Sequence, residues 1–208
     1  MKSAGNYYYM IHTMRQDDGY NRESVVGILF AKPNVTFVKY EILNDIEYAN
    51  KRSGQDIDFF FAGYIETDKE YGINELDKTL IVAPEGRKWR YDAEMFTDFI
   101  KCIEDTSKWK YSGETELLLL DFREGELHFD KSLVIWLDRA VRDRSIYSVS
   151  NLFENIYRKA RSITRTNKLS NKCELNTITS YIIDTIRDYI IELFGDQPNI
   201  CKVIYQDK

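Results

Sequence analysis

Three acidic residues, Glu47, Asp56 and Asp58, are the candidates for catalysis in this sequence. Asp56 and Asp58 begin a predicted strand that contains three consecutive phenylalanines, and Glu47 lies in a helix predicted before it. Carboxylates at strand ends can hold Mg²⁺ near an attacking water, as metal-dependent phosphodiester cleavage requires. The sequence has no ordered carboxylate motif with a lysine at fixed spacing, so we predict no metal site. Solvated turn residues are the alternative interpretation.

A run of basic residues is the second candidate site. Between positions 139 and 172 the chain has nine basic and two acidic residues, so the rest carries a net charge of −12 within a total of −5. Helical spacing places part of this run opposite an apolar helix face. Guanidinium groups in such a row bind phosphate oxygens without reading bases. We predict anion or nucleic-acid binding, with a solvated helix face as the alternative. The predicted binding residues are Arg158, Lys159, Arg161, Arg165, Lys168 and Lys172.

Other motifs that carry chemistry are absent from the sequence. It has no GxxxxGK[ST], GxGxxG or GxSxG, and its three cysteines show no CxxC spacing. With only two histidines, His12 and His128, a structural zinc site lacks ligands. We therefore predict no cofactor, and we interpret the cysteines as reduced packing residues.

The most apolar stretch, residues 115–141, provides the predicted core. It contains a strand over residues 117–122, a tight turn over residues 123–126, and a strand and helix candidate from residue 127. A four-leucine strand requires cover on both faces. Asp121, Glu126 and Asp130 flank the turn and form a second set of carboxylates from which a nuclease site could be assembled.

Periodicity and turn signals predict an α/β fold with a mixed sheet, in three layers or in a thioredoxin-like element order. The predicted division is a core domain, residues 1–145, and a C-terminal helical extension, residues 146–208, that packs on it. Strands are predicted at residues 6–12, 35–42, 56–66, 79–83 and 200–205. Helices are predicted at residues 22–32, 44–51, 93–105, 151–164 and 176–194, with Asp92 capping the third.

The element order of residues 6–105 resembles that of a thioredoxin-like domain. Where that family has its redox CxxC, after the first strand, this chain has HTMRQ from position 12. Where the family has a proline before the third strand, this chain has GQD from position 54. The resemblance therefore implies the fold without the oxidoreductase chemistry.

The same residues also resemble a TIR domain. The strand NYYYMIHT, a nearby acidic pair, a helix and a strand of the type DIDFFFAGY carry this resemblance. The NAD-cleaving members of that family use a glutamate in a helix near the C-terminal edge of the sheet, and Glu47 is its nearest counterpart. The family's tryptophan-to-glutamate spacing is absent here, and a second strand after Glu66 also departs from its pattern.

Missing catalytic motifs, opposite charge in two parts of the chain and fifteen tyrosines favour a binding protein. We expect a non-catalytic binding or adaptor subunit of a larger cytosolic assembly, with a prokaryotic defence system as one hypothesis. The expected partner is a protein or a second copy of the chain, with nucleic acid bound through the basic helix. The alternative is a hydrolase of nucleotides or nucleic acids, either a metal-dependent nuclease or a TIR-like NAD hydrolase.

The sequence shows no signal peptide and no membrane span, so we expect a cytoplasmic protein without membrane contact. The apolar stripe of the last predicted helix leaves two options open. It can dock on the protein's own core or on a partner helix.

Overall fold

The computed structural model describes residues 1–18, 23–44, 46, 57–67, 80–82, 86–143, 146, 148–170, 178–195 and 199–206. Its strands are β1 Lys2–Ala4, β2 Ser24–Phe30, β3 Ile57–Ala62, β4 Tyr64–Glu66, β5 Leu80–Val82, β6 Lys88–Tyr91, β7 Glu116–Arg123, β8 Glu126–Trp136 and β9 Cys201–Tyr205. Its α-helices are α1 Tyr7–Asp18, α2 Ala93–Thr106, α3 Leu137–Arg142, α4 Val149–Ser170 and α5 Ile178–Phe194, and a π-helical segment covers Val38–Leu43.

The main sheet has six strands in the order β1-β3-β2-β7-β8-β9. The first three are parallel to one another, and each later neighbour pairs antiparallel. A smaller antiparallel sheet has the order β4-β6-β5. This mixed sheet with its helices confirms the predicted α/β class. The predicted boundary between the core domain and the C-terminal extension stays a prediction. Strand β9, which belongs to the predicted extension, is an edge strand of the main sheet.

The main sheet buries both of its faces, which makes the fold three-layered. Alternate side chains of a strand point to opposite faces, and this alternation separates two cores. Phe59 and Leu117 belong to one core, which also contains buried residues of α4 and α5. Phe60 and Leu118 belong to the other, which contains buried residues of α1 and α2. The four-leucine run is thus covered on both sides, as its composition predicts.

The central hairpin forms as predicted. Strands β7 and β8 are joined through Glu124 and Gly125, which have φ angles of 55° and 77°. Two positive φ values in a two-residue loop match the twist of the flanking strands, and glycine adopts such a value without steric cost. Arg123 pairs with Glu126 at the end of the ladder.

The first predicted strand is wrong, because residues 7–18 form helix α1. The side chain of Asn6 accepts a hydrogen bond from the backbone N–H of Tyr9 at 2.8 Å, which caps the helix start. Met10 and Met14 lie one turn apart and are both fully buried. His12 is therefore an exposed helical residue and not the last residue of a strand.

The predictions for the next two segments are also wrong. The segment predicted as the first helix contains strand β2, and the segment predicted as the second strand overlaps the π-helical segment Val38–Leu43. All seven residues of β2 are buried between β3 and β7, and a continuous apolar run does not distinguish a buried strand from a buried helix by period alone. Val38 and Ile42, predicted on a strand, are buried one turn apart in the π-helical segment. The predicted helix at residues 44–51 lies mostly outside the described residues.

The predicted third strand divides into two strands at Gly63. This glycine has a φ angle of 77°, and the chain leaves the main sheet there and begins the smaller one. The strands predicted near residues 80 and 203 and the helices α2, α4 and α5 are confirmed. Within the described residues, no helix combines the length and the apolarity needed to cross a membrane.

Helix α5 docks on the protein's own core. Ile182, Ile186 and Ile190 are buried in the same cluster as the sheet residues, whereas Tyr181 and Leu193 are exposed. The first of the two options for the apolar stripe is therefore the one observed. A row of isoleucines at i, i+4 and i+8 gives the stripe that such packing requires.

Candidate functional site

Helix α4 positions the described members of the predicted binding residues. Phe153, Ile156 and Tyr157 are buried in the core of the sheet face that α4 covers, and this packing fixes the rotation of the helix. Arg158 and Arg161, one turn apart, are exposed as a consequence. The predicted opposition of an apolar face and a basic face is thus present in this part of the helix.

The three basic side chains of α4 that the structure describes differ in their surroundings. Arg158 and Arg161 form no ion pair within the described part of the chain. The Lys159 ammonium lies 5.5 Å from the centroid of the Tyr189 ring, a cation–π contact that joins α4 to α5. The two arginines therefore provide the free positive charge, while Lys159 also has a structural contact.

The other predicted members of the tract follow Arg161 in the chain. Arg165 and Lys168 belong to α4, but the structure does not describe their side chains. Lys172 lies outside the described residues. We define the basic face of α4 by Arg158 and Arg161.

Of the three predicted catalytic carboxylates, Asp58 is described, whereas Glu47 and Asp56 lie outside the described residues. Asp58 is on β3, where its side chain is 11% exposed and forms an ion pair of 3.1 Å with the Lys2 ammonium. Lys2 belongs to the neighbouring strand β1, and its ammonium also lies 5.4 Å from the Phe60 ring centroid. The Asp58 carboxylate is thus used to join the edge strand to the sheet.

Asp58→Ala is expected to lower the free energy of unfolding by about 1–2 kcal/mol, because it removes the carboxylate that pairs with the partly buried Lys2 ammonium across β1 and β3. Urea unfolding measures this effect. Lys101→Ala is the control, since it breaks an ion pair with Asp98 in which both side chains are more than half exposed, and its cost should be near zero. An Asp58→Ala protein as stable as the wild type would contradict a structural role and return Asp58 to the catalytic candidates.

The carboxylates around the central turn are bound by an arginine. Arg123 donates hydrogen bonds of 2.7 Å to both Asp121 and Asp130. Its guanidinium also lies 3.0 Å from Nδ1 of His128. Since a guanidinium only donates, Nδ1 accepts, and the His128 proton is on Nε2, 3.3 Å from the Arg123 carbonyl oxygen. Glu126 instead approaches Arg15 at 3.8 Å.

This arrangement does not assemble the nuclease site considered from the sequence. Arg123 offsets one of the two negative charges of Asp121 and Asp130. Within the described residues, no cluster of three His, Cys, Asp or Glu side chains could hold a metal ion. Burial raises the pKa of Asp121, although Thr179, Arg123 and His128 oppose the shift. This cluster of charged side chains lies next to the turn between β7 and β8 and links the two strands.

A cavity of about 560 Å³ lies beyond the carboxyl end of β2. Ligands of open α/β sheets commonly bind outside the carboxyl ends of the strands. We call it the Lys32 pocket, and its walls include Lys32, Asn34, Tyr91, Phe96, Ile100 and Tyr111.

A turn after β2 and the start of α2 position these walls. The Val35 N–H donates to the Lys32 carbonyl oxygen at 3.1 Å, and Pro33 sets the backbone angle at the second position of this turn. The Asp92 side chain caps α2 by accepting from the N–H groups of Glu94 and Met95, each at 3.1 Å. Both segments are thus fixed by local hydrogen bonds.

Three aromatic rings line the pocket, and one of them contacts the other two. Phe96 lies between Tyr91 and Tyr111, with ring centroids 5.6 Å and 5.7 Å apart. The Lys32 ammonium lies 5.6 Å from the Phe96 centroid and 5.8 Å from the Tyr111 centroid. Burial raises the pKa of Tyr91 to about 12 and also raises the pKa of Tyr111, so both phenols are neutral donors near pH 7.

A buried glutamate lies near the pocket. Glu116 is fully buried at the start of β7, and Ser112 donates a hydrogen bond of 2.7 Å to its carboxyl group. The indole N–H groups of Trp109 and Trp136 favour its charged form, but neither completes a hydrogen bond with it. Loss of hydration therefore dominates and raises the pKa of Glu116 to about 7. Its charge in turn raises the pKa of Tyr111.

Neither the pocket nor Glu116 was predicted from the sequence. The pocket draws its residues from the turn after β2, from β6, from α2 and from the segment before β7, which are far apart in the chain. The predicted helix at residues 22–32 also placed Lys32 on the wrong kind of element. One signal was present: aromatic and basic residues alternate in the KWRY and KWKY segments at positions 88 and 108.

The fold and these sites define a three-layer α/β protein with a basic helix face on one side of the main sheet and an aromatic pocket on the other. Comparison of the chain with protein-family models, with curated proteins and with solved structures found no match. The function is therefore inferred from the chemistry of the two sites.

Proposed function

We propose that this protein is a non-catalytic binding subunit of a larger assembly that contacts the phosphate backbone of nucleic acid through the basic face of α4. The observation that supports this proposal is the pair of exposed arginines, Arg158 and Arg161, on a helix whose opposite face is buried. Exposed arginine without a carboxylate partner is available for phosphate oxygens, to which it donates in pairs.

The local charge favours an anionic partner although the whole chain is acidic. The −12 carried outside positions 139–172 repels nucleic acid from other surfaces, while the basic tract attracts it. Binding of this kind depends on counterion release and does not read the base sequence. We therefore expect affinity that falls steeply with salt and varies little between sequences.

A protein partner has separate support. Tyr8 and Tyr9 on α1 are 74% and 52% exposed, and Tyr205 on the edge strand β9 is 60% exposed. Tyrosine is enriched at protein interfaces because its ring packs while its hydroxyl remains hydrated. These residues provide surfaces for the other components of the assembly.

Reversal of two charges tests the nucleic-acid contact. Arg158→Glu with Arg161→Glu is expected to weaken binding to a short DNA duplex at least about tenfold and to reduce the slope of log K against log salt by about 2. Fluorescence anisotropy over a series of salt concentrations measures both. Lys39→Glu with Lys202→Glu changes the net charge equally at exposed residues elsewhere and should bind more nearly like the wild type.

Equal loss in the two double variants would show that net charge alone controls binding, and unchanged binding in the arginine variant would remove the basic face from the proposal. Purification of tagged protein from its own host, with mass spectrometry and absorbance at 260 nm, identifies the companions. A stoichiometric protein without nucleic acid would contradict the phosphate contact while keeping the role of a subunit.

A further inference from the structure

We propose that the Lys32 pocket binds a small molecule that combines a planar ring with an anionic group, the chemistry of a nucleoside monophosphate. Four observations support this site: its volume, its aromatic walls, the surroundings of Lys32 and the polar groups at its edge. The site is on the sheet face opposite α4 and shares no residue with the basic face, so the two proposals can fail independently.

The size and composition of the cavity fit a small ligand. Binding pockets for small molecules typically enclose about 300–1,000 Å³ and are lined mainly by apolar and aromatic groups. This cavity is about 560 Å³, and Phe96 and Ile100 supply apolar wall beside the side chains of Tyr91 and Tyr111. Lys32 lies over Phe96 and Tyr111, so Tyr91 is the ring that can stack on a nucleobase, and such stacking does not select among bases.

The charge of Lys32 favours an anionic ligand. Lys32 is half-buried at the pocket wall and forms no ion pair within the described part of the chain. Its ammonium contacts the faces of Phe96 and Tyr111, which compensate only part of the hydration it loses. A phosphate or carboxylate entering the pocket would complete this compensation through charge-assisted hydrogen bonds.

The same contacts argue against a cationic ligand. Aromatic walls can bind ammonium groups, but here the ammonium of Lys32 already lies against them, so a second cation would meet a like charge. The hydroxyl groups of Tyr91 and Tyr111 remain as donors for the polar part of a ligand. The exposed side chain of Asn34 adds an amide at the entrance.

Isothermal titration of the whole chain with AMP, adenosine and ribose 5-phosphate tests the combination of ring and anion. AMP carries both groups, adenosine lacks the phosphate and ribose 5-phosphate lacks the base. We expect AMP to bind at least about tenfold more tightly than either fragment, since it alone contacts both the Tyr91 ring and Lys32. No binding of AMP, or binding of ribose 5-phosphate as tight as that of AMP, would overturn the proposal.

Lys32→Met localises the binding, because methionine keeps the apolar contact with the two rings and removes the charge. This variant is expected to weaken AMP binding at least about tenfold and to leave any binding of adenosine unchanged. Lys39→Met is the matched control, since the Lys39 ammonium also lies over a ring, that of Tyr40 at 5.3 Å, outside the pocket. Equal AMP affinity in Lys32→Met and wild type would contradict an anionic ligand. The same conclusion would follow if Lys32→Met bound choline and the wild type did not bind AMP.

Discussion

Gly63→Ala is expected to lower the free energy of unfolding by roughly 2–5 kcal/mol, because a steric cost adds to a backbone cost. A Cβ atom at position 63 would lie 2.6 Å from Cβ and 2.9 Å from Cα of Phe96. The second of these atoms belongs to the backbone of α2, so no side-chain rotation relieves the contact. The φ angle of 77° adds strain for any L-residue with a side chain.

Backbone hydrogen bonds of Gly63 connect two elements of the fold, so a strained residue at this position affects both. Its N–H donates to the Ala4 carbonyl oxygen at 2.9 Å, and its own carbonyl oxygen accepts from the Asp92 N–H at 2.8 Å. One residue thus joins β1 to the residue that caps α2. Because Phe96 also lines the Lys32 pocket, a shift of α2 would change the shape of the pocket as well as the stability.

Gly86→Ala separates the two costs of the Gly63 substitution. Gly86 has a φ angle of 71°, but nothing lies within 4 Å of a Cβ placed there, so its alanine variant should lose only about 1 kcal/mol from backbone strain. Chemical denaturation of both variants measures the difference. Similar losses at the two positions would show that α2 moves away from position 63 at little cost. The steric contact with Phe96 would then make no contribution to the loss of stability.

Glu116→Gln is expected to make the protein more stable than the wild type at pH 8 by about 3 kcal/mol, the free energy that corresponds to the raised pKa of this carboxyl. Burial raises the pKa of Glu116 to about 7 from an ordinary value of 4.5. The folded state therefore keeps its proton over a range in which the unfolded chain has released it. Glutamine keeps an acceptor for the Ser112 hydroxyl and has no charge to bury.

The sign of the effect follows from the two protonation states. Well below pH 4.5 both folded and unfolded Glu116 are protonated, so the site adds no dependence on pH. Between pH 4.5 and about 7 the unfolded state alone loses the proton, and the stability of the wild type falls. Above about pH 7 the folded state buries the charge, and the loss is complete.

Urea unfolding at pH 5 and pH 8 measures this dependence as a difference between variants. Other carboxyls, among them Glu23 and Asp121, also have raised pKa values and titrate in both proteins, so the difference between wild type and Glu116→Gln isolates the site. Glu94→Gln, at an exposed position, is the control and should follow the wild type at both pH values. A stability gap that does not widen from pH 5 to pH 8 would contradict the raised pKa.

Local signals in the sequence determined several elements of this protein correctly. Asp92 and the apolar spacing after it predict α2, the Glu124–Gly125 pair predicts the central turn, and the stripe of α5 predicts a buried helix face. Each of these signals acts over a few residues, through a cap, a turn angle or a helical period. The α/β class follows from the same signals and is confirmed.

The tertiary structure decided the rest, because the deciding interactions join residues far apart in the chain. Residues 24–30 are apolar throughout, and only their place between β3 and β7 makes them a strand. The Lys32 pocket exists because the turn after β2 meets α2, β6 and the segment before β7. The pKa of Glu116 depends on the burial that these contacts create, a property that residue type and spacing do not contain.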